Sequence, residues 1–279
     1  MAEIWLVSSY FLFLLLISFS TGTIELSNAN TVSSIFIFGD STTDVGTNNF
    51  LEVNLVARAN YKHNGIDFSS TGLPTRRFSN GPNLIGLQRS PAPFHALLLK
   101  KGSLKRHVLG GANFASKGSG ILLGTRSEFS NNLLQLEEIL QKNLGSSRKT
   151  DTFISKSIFF VSVGSNDIFE YFLSNKNPNK EEFMTRLKST YKSQLRDLYK
   201  LGARKFGIVS TPLIGCCPSK RSLNVTGGCL DILNEYSLAF YTTMGHMLID
   251  LSCELKEMKY SFANAYEMVA NIMDDPLPY

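Results

Sequence analysis

Residues 35–49 have the sequence IFIFGDSTTDVGTNN, and this stretch decides how the rest of the chain is interpreted. It begins with four apolar residues, mostly of types that strands favour, and this run ends abruptly at Gly39. The small and polar residues that follow are typical of a turn, so the pattern predicts a buried strand with Ser41 just past its carboxyl end. In open α/β sheets, ligands bind in the crevice outside the strand ends, which makes Ser41 a candidate for chemistry.

The same run resembles the first signature block of the GDSL esterase/lipase family, the SGNH hydrolases. In that family the Ser of Gly-Asp-Ser is the nucleophile, so the resemblance implies this role for Ser41. It also implies the fold of the family, a three-layer α/β/α sandwich around a doubly wound, mainly parallel sheet of the flavodoxin-like type. Thr42 and Thr47 stand where family members often carry Leu and Asn, which are minor departures.

A glycine-rich run at residues 110–120, GGANFASKGSG, is the second feature that carries the resemblance. Such runs suit a backbone that must approach another group closely. A phosphate-binding loop is the alternative, but the run lacks the Gly-Lys-Ser/Thr ending and the glycine spacing of those loops. The string Asn-Phe-Ala-Ser-x-Gly resembles the second block of the family, which implies that the Gly118 backbone N–H donates to the oxyanion.

A second buried strand is predicted at residues 157–163, SIFFVSV, with Gly-Ser-Asn-Asp directly after it. Taken alone, this turn needs no function, because Asn and Asp favour turns. It resembles the third block of the family, Gly-x-Asn-Asp, which implies that the Asn166 side-chain amide also donates to the oxyanion. Ser41, Gly118 and Asn166 thus form the predicted oxyanion hole, and hydrolysis of this type needs no metal or organic cofactor.

The base that would activate Ser41 is not found in this sequence. In the family it is a His in a late Asp-x-x-His block, whereas residues 273–279 here are MDDPLPY. The chain has four histidines, His63, His95, His107 and His246. None of them has an Asp three residues before it in the sequence. We therefore expect the C-terminal strand and helix of the family fold to be missing, which would leave the strand near Tyr260 at an exposed sheet edge.

Strands alternate with helices through the remainder of the chain. Apolar residues at helical spacing predict amphipathic helices at 131–143 and 181–201, and a long helix is predicted at 231–257. Further strands are predicted at 205–210 and 260–265. Alternation of this kind, without tight hairpin signals, indicates a doubly wound parallel sheet.

The amino terminus is almost wholly apolar and uncharged from Ile4 to Phe19. This run is shorter than the roughly 20 residues that a membrane-spanning helix needs. Small residues at Ser27 and Ala29 fit a cleavage site, so residues 1–29 are predicted to be a signal peptide and residues 30–279 a single hydrolase domain. A retained signal anchor is the alternative. The expected location is therefore secreted and extracellular, without a stable membrane span.

Composition excludes several classes of partner. Hydrophobic residues make up 43% of the chain and charged residues 18%, as in globular proteins, and the net charge is a mild +5. The densest basic run, residues 100–107, has no interleaved aromatic residues and is interpreted as a solvated loop, not a nucleic-acid surface. The expected partner is a small-molecule or lipid ester, and the oligomeric state cannot be predicted.

Four cysteines are few for an exported chain, but oxidation is expected in that compartment. Either Cys216 or Cys217 can close a short loop onto Cys229, and their adjacency leaves the pairing open. Asn224 begins the only Asn-x-Ser/Thr sequon and lies in the same loop, so it is the predicted glycosylation site, with an unused sequon as the alternative. Cys253 is predicted to be a buried single thiol in a helix.

Two classes of function remain open. The first is a secreted serine hydrolase that cleaves carboxylic esters through an acyl-Ser41 intermediate. The second is a catalytically inactive homologue that serves as a binding or scaffold protein, because the Asp/His pair is absent. A nucleotide-binding protein of doubly wound type is disfavoured because the chain has no phosphate-loop pattern.

Overall fold

The computed structural model describes residues 32–51, 58–67, 74–81, 90–123, 125, 135–139, 145 and 147–276. The predicted signal peptide at residues 1–29 therefore lies outside the described residues. None of the helices within the described ranges is long and apolar enough to cross a bilayer.

The described residues contain one sheet of five parallel strands. Its strands are β1 (Ile35–Gly39), β2 (Ala112–Asn113), β3 (Ile158–Ser162), β4 (Lys205–Val209) and β5 (Lys259–Ala263). Their order across the sheet is β2-β1-β3-β4-β5, which is the flavodoxin-like order. The doubly wound parallel sheet predicted from the alternation of strands and helices is therefore confirmed.

The strand register aligns the carboxyl ends of four strands. Gly39 of β1 pairs with Ser162 of β3, Ser162 pairs with Val209 of β4, and Val209 pairs with Ala263 of β5. The residues that follow these strands consequently lie along one edge of the sheet. β5 pairs only with β4 in the described sheet, which makes it an edge strand, as predicted.

Helices cover both faces of the sheet. They are α1 (Phe94–Leu98), α2 (Leu104–Val108), α3 (Arg148–Lys156), α4 (Ser165–Ser174), α5 (Lys180–Lys200), α6 (Asp231–Glu254) and α7 (Ala265–Asp274). Residues 135–139 are also helical, which confirms the central part of the helix predicted at 131–143. The helix α2 corrects one prediction, because residues 100–107 are not a loop throughout.

The strand β1 is buried on both faces, as a central parallel strand must be. Phe36 and Phe38 lie in the main core, whereas Ile37 points to the other face and packs with Phe160 and Ala115 in a smaller cluster. This alternation follows from the two-residue period of a strand. Aromatic contacts fill the space beside β1, and the Phe38 and Phe114 rings stack with centroids 5.0 Å apart.

The two long helices match their predictions closely, although α6 ends at Glu254 and not at residue 257. The helix stops there because Leu255 is extended, and Glu257 then has a φ of 65°. Cys253 is exposed, so its prediction as a buried thiol is wrong. The buried face of α6 passes through Leu248 and Leu251, and a residue two positions after Leu251 lies on the opposite side of the helix.

The disulfide joins Cys216 to Cys229, with a Cα–Cα distance of 4.4 Å, which decides between the two pairings that spacing left open. Cys217 remains a half-buried free thiol. The loop closed by this disulfide contains the sequon, and its middle residue Val225 is fully exposed. The Asn224 side-chain amide donates a 3.1 Å hydrogen bond to the Cys229 carbonyl oxygen.

Candidate active site

Ser41 lies in a turn two residues beyond the end of β1, and its side chain is half-buried. Asp40 builds this turn. Its Oδ1 atom accepts hydrogen bonds from the Thr42 backbone N–H at 2.9 Å and from the Thr42 hydroxyl at 2.7 Å. Burial raises the pKa of Asp40, and the two bonds from Thr42 oppose that effect. The turn therefore holds Ser41 between two residues that are fixed by hydrogen bonds.

Gly39 is required because the turn folds back onto the strand. A Cβ atom at this position would lie 2.0 Å from the Thr43 hydroxyl oxygen and 2.8 Å from the Ser162 carbonyl oxygen. The next residue, Asp40, donates its N–H to that same carbonyl at 3.2 Å, which ties the turn to β3. The Gly of Gly-Asp-Ser thus has a steric role that brings the Ser41 turn close to a neighbouring strand.

Asp44 organises the segment after Ser41. Its Oδ1 accepts 2.7 Å hydrogen bonds from the Gly46 and Thr47 backbone N–H groups, and burial raises its pKa to about 6. The Arg77 guanidinium interacts electrostatically with this carboxylate. Asp44 is fully buried, so its hydrogen bonds hold the start of the turn at Thr47–Asn49 against the protein interior.

The glycine-rich segment is hydrogen-bonded directly to the Ser41 turn. Asn113 of β2 donates from its side-chain amide to the Thr43 carbonyl oxygen at 2.9 Å, while its Oδ1 accepts from the Ala115 N–H at 2.8 Å. Ser116 N–H then donates to the Gly39 carbonyl oxygen at 3.0 Å. These contacts bring the second block to the carboxyl end of β1, as the sequence predicts.

Gly118 lies in the turn that follows, with a φ of 93°, a left-handed value that favours glycine. Asn48 holds this turn from the other side, because its Oδ1 accepts from the Lys117 N–H at 2.8 Å. The backbone N–H groups of Ser41 and Gly118 donate no hydrogen bond to any residue that the structure describes. Both predicted oxyanion donors are therefore available to a ligand.

Asn166 lies in the first turn of α4, directly after β3. Its side-chain amide donates to the Ser119 carbonyl oxygen at 2.8 Å, next to Gly118 in the chain. An Asn amide has two N–H donors, so one remains for a ligand. The first turn of a helix also carries unpaired N–H groups and a partial positive charge, which favour an anion.

Asp167 is a structurally important residue that the sequence analysis did not single out. Its carboxylate is 1% exposed and accepts three 2.8 Å hydrogen bonds, from the Ile121 and Leu122 backbone N–H groups and from the Thr125 hydroxyl. Burial raises the pKa of Asp167 to about 6 against the opposing effect of these bonds. The carboxylate fastens the chain after Gly118 to α4. The only sequence signal for this role is the Asp that ends Gly-x-Asn-Asp.

No described histidine contacts Ser41, whose hydroxyl makes no hydrogen bond to any described side chain. His63 and His246 are exposed, the latter on α6. His95 and His107 each have a buried Nδ1 atom without a hydrogen-bond partner, and burial lowers the pKa of His95. Neither imidazole has the carboxylate contact that would orient a catalytic base.

Two surface cavities among the described residues lie away from Ser41. One of about 540 Å³ is at the amino-terminal end of β1, where Ser34, Lys100 and His107 contribute to its wall. The other, of about 430 Å³, lies between α5 and α6 and includes His246 in its wall. Ser41 lines neither cavity, so neither is the ester site that the sequence predicts.

Comparison with known proteins is consistent with the arrangement of these blocks. The family model described as GDSL-like Lipase/Acylhydrolase matches residues 35–277. Among curated proteins of Arabidopsis thaliana, GDSL esterase/lipase At5g37690 is 34% identical over 265 residues, which are 88% of this chain and 72% of the relative. GDSL esterase/lipase At5g55050 is 34% identical over 271 residues, 89% of this chain and 71% of the relative.

A third Arabidopsis thaliana protein, GDSL esterase/lipase At3g50400, is 31% identical over 265 residues, 87% of this chain and 70% of its own length. Among solved structures, a GDSL-like lipase from Parabacteroides merdae aligns with 90% of this chain and 86% of its own, with a TM-score of 0.38 and 14% identity. That structural likeness is too weak to support any inference.

The family match includes the segments that hold Ser41, Gly118 and Asn166 and extends over most of the chain. The chain also spans about 70% of the length of each of these three relatives, at 31–34% identity. The chain therefore belongs to the GDSL-like lipase/acylhydrolase family, which comprises hydrolases of the esterase and lipase kind.

Proposed function

We propose that this protein is a secreted serine hydrolase that cleaves carboxylic esters through an acyl-Ser41 intermediate. One observation carries the proposal: the three sequence blocks meet at one end of the parallel sheet and are hydrogen-bonded to one another. Asn113 and Asn48 connect the first block to the second, and Asn166 connects the second to the third.

The chemistry follows from the groups that this arrangement leaves unpaired. The Ser41 oxygen attacks the ester carbonyl carbon, and the hydroxyl proton passes to a base as the new bond forms. The negative oxygen of the tetrahedral intermediate accepts hydrogen bonds from the Ser41 and Gly118 N–H groups and from the Asn166 amide. The intermediate collapses with loss of the alcohol, and water then hydrolyses the acyl-Ser41 ester.

The proposal leaves the base unassigned. A Ser hydroxyl is a weak nucleophile until a neighbouring base takes its proton, and no described histidine fills that position. An oxyanion hole alone retains roughly 1,000-fold catalysis over water when triad members are absent. Slow ester turnover by itself would therefore not establish an activated Ser41.

The alternative function is a binding or scaffold protein that keeps the ester-binding crevice without turnover. It is favoured by one observation, the absence of a hydrogen-bond partner for the Ser41 hydroxyl among the described side chains. Burst kinetics separate the two functions, because an acyl-enzyme releases the first alcohol faster than it turns over.

The experiment uses the mature chain with a p-nitrophenyl ester in stopped flow. We expect a burst of p-nitrophenol equal in amount to the protein, lost in Ser41→Ala and retained in Ser189→Ala, a matched change on the exposed face of α5. A folded wild-type protein that shows neither a burst nor steady ester turnover above that of Ser41→Ala would contradict the hydrolase and support the binding protein.

Secretion is part of the same proposal. It is supported by the apolar amino terminus and by the disulfide between Cys216 and Cys229, since disulfides persist in oxidising compartments. Expression in a plant or insect secretory system should give a protein whose amino terminus lies near residue 30. A mass loss on deglycosylation, absent in Asn224→Gln, is the expected result at the sequon.

A further inference from the structure

The segment from residue 90 to residue 120 contains five Lys or Arg residues and no Asp or Glu. Four of these cations are clustered on and between two short helices, at Lys100, Lys101, Lys105 and Arg106, and all four are exposed. The five positive charges of residues 90–120 equal the net charge of the whole chain, which is +5.

Among the residues that the structure describes, no carboxylate lies within ion-pair distance of these four cations. The close ion pairs seen among the described residues are instead made by cations of α5, namely Lys180, Lys192, Arg196 and Lys200. An unneutralised cluster of this kind attracts anions over a distance set by salt screening, about 8 Å at physiological ionic strength.

Exposed leucines lie within the same cluster. Leu98 is 50% exposed, Leu99 75% and Leu109 39%. Ordinary protein surfaces carry exposed apolar residues singly and scattered, whereas these leucines lie close together in the chain. We define the basic-leucine patch as Leu98, Leu99, Lys100, Lys101, Lys105, Arg106 and Leu109.

The patch is held in place from beneath. Phe94 and Leu97 of α1 and Val108 of α2 are buried in the main core, and the Phe94 ring lies 5.0 Å from the Phe114 ring. The exposed leucines are therefore not core residues of a frayed segment. The inner sides of α1 and α2 pack against the core, and the leucines and cations lie on their outer sides.

We propose that the basic-leucine patch docks the protein reversibly onto an anionic phospholipid surface. Cations near such a surface each contribute roughly a fivefold gain in partitioning, and adjacent leucines add apolar burial at the headgroup boundary. Residues 98–109 contain no Phe, Tyr or Trp, so the patch lacks the aromatic platform on which single-stranded nucleic acids stack. Docking does not depend on the reactivity of Ser41 and goes beyond the proposed function.

The test measures cosedimentation with vesicles, using the Ser41→Ala protein so that hydrolysis cannot alter the lipid. We expect binding to phosphatidylcholine mixed with phosphatidylglycerol, and little binding to phosphatidylcholine alone. Binding should weaken as the salt concentration rises towards about 1 M, where the screening length is about 3 Å. The salt series needs no further variant and is unaffected by folding defects.

Two pairs of variants then test the residues. Lys100→Glu with Lys101→Glu should reduce partitioning about 25-fold or more, whereas Lys149→Glu with Lys156→Glu, on exposed positions of α3, should change it far less for the same change in net charge. Leu98→Ser with Leu99→Ser should reduce partitioning several-fold. Circular dichroism verifies that each variant is folded.

Three results would overturn the proposal. The first is equal binding to charged and uncharged vesicles, and the second is an equal loss in the two charge-reversal variants. The third is a concentration-dependent dimer without lipid that the Leu98→Ser with Leu99→Ser change abolishes, because the patch would then be an interface between two copies of the chain.

Discussion

Two effects act in opposite directions on the pKa of the buried Asp167 carboxylate, namely burial and hydrogen bonding. The dependence of protein stability on pH measures which effect is larger. Three hydrogen bonds favour the charged form, but burial favours the neutral form and raises the pKa to about 6 from 3.8. The folded state therefore binds a proton more readily than the unfolded state between about pH 3.8 and pH 6.

The free energy of unfolding that Asp167 contributes is accordingly largest below the unfolded-state pKa and is lost as the pH rises through 6. A pKa of about 6 in place of 3.8 corresponds to a change of about 3 kcal/mol. Asn cannot titrate in this range, so Asp167→Asn removes this dependence. Relative to the variant, the wild type should lose about 3 kcal/mol of stability between roughly pH 4 and pH 7.

Urea unfolding at several pH values, followed by circular dichroism, provides the measurement. The only tryptophan, Trp5, lies in the predicted signal peptide, so circular dichroism is used in place of tryptophan fluorescence. Comparing the two proteins cancels the contributions of other groups such as Asp44, whose pKa is also raised to about 6. Asp151→Asn, at an exposed position of α3, is the matched control for the change in charge.

A stability difference that is constant with pH would refute the reasoning. A difference that moves in the wild type's favour as the pH rises would also refute it, because the three hydrogen bonds would then outweigh burial and hold the pKa of Asp167 below its ordinary value.

Three further predictions concern the active site and its surroundings. Asn166→Ala should lower kcat on a p-nitrophenyl ester about 100-fold or more with little change in KM, because an oxyanion donor acts in the transition state; an unchanged kcat would remove Asn166 from the oxyanion hole. Gly39→Ala should destabilise the fold by about 1–3 kcal/mol in thermal unfolding, since the added Cβ meets the turn, whereas Gly245→Ala, with 3.7 Å to its nearest neighbour, should be tolerated. Cys216→Ser should lower the free energy of unfolding by about 3 kcal/mol, because the disulfide is lost, whereas Cys217→Ser should lower it much less. Equal losses of stability in urea unfolding would contradict the pairing of Cys216 with Cys229.

The sequence was most informative where a short apolar run met a sharp turn. Residues 35–39 and 158–162 are strands because they are buried and bounded by glycine turns, and both ends lie on the predicted edge of the sheet. Ser41 and Asn166 follow these strands directly, so predicting the strands also located the residues. The long helix α5 was similarly clear, because an apolar stripe repeats over several turns.

Short helices were missed. The helix α3 was not predicted, since its sequence is mostly polar and Ile154 is its one buried residue. It begins because Ser147 caps it, accepting a hydrogen bond from the Thr150 N–H. The helix α7 was also not predicted, although Asn264 caps it in the same way. Both helices have a capping residue, but at 9 and 10 residues each is too short for an apolar repeat to extend over several turns.

The individual hydrogen bonds between distant segments could not be predicted from local patterns. Asp167 and Ile121 are 46 positions apart, and Asn48 and Lys117 are 69 apart. No local pattern indicates that one side chain will bind the other's backbone. The prediction that Cys253 is buried was wrong because α6 also carries exposed apolar residues, such as Leu238 and Ile249. Its sequence therefore does not show which side of the helix is buried.

The most direct test of an activated Ser41 is covalent labelling of the mature protein with a fluorophosphonate probe, with mass spectrometry of the labelled peptide. We expect one modified residue, Ser41, and no labelling in Ser41→Ala. Absence of the adduct in a sample that circular dichroism shows to be folded, or an adduct on another serine, would contradict the assignment of Ser41 as the nucleophile.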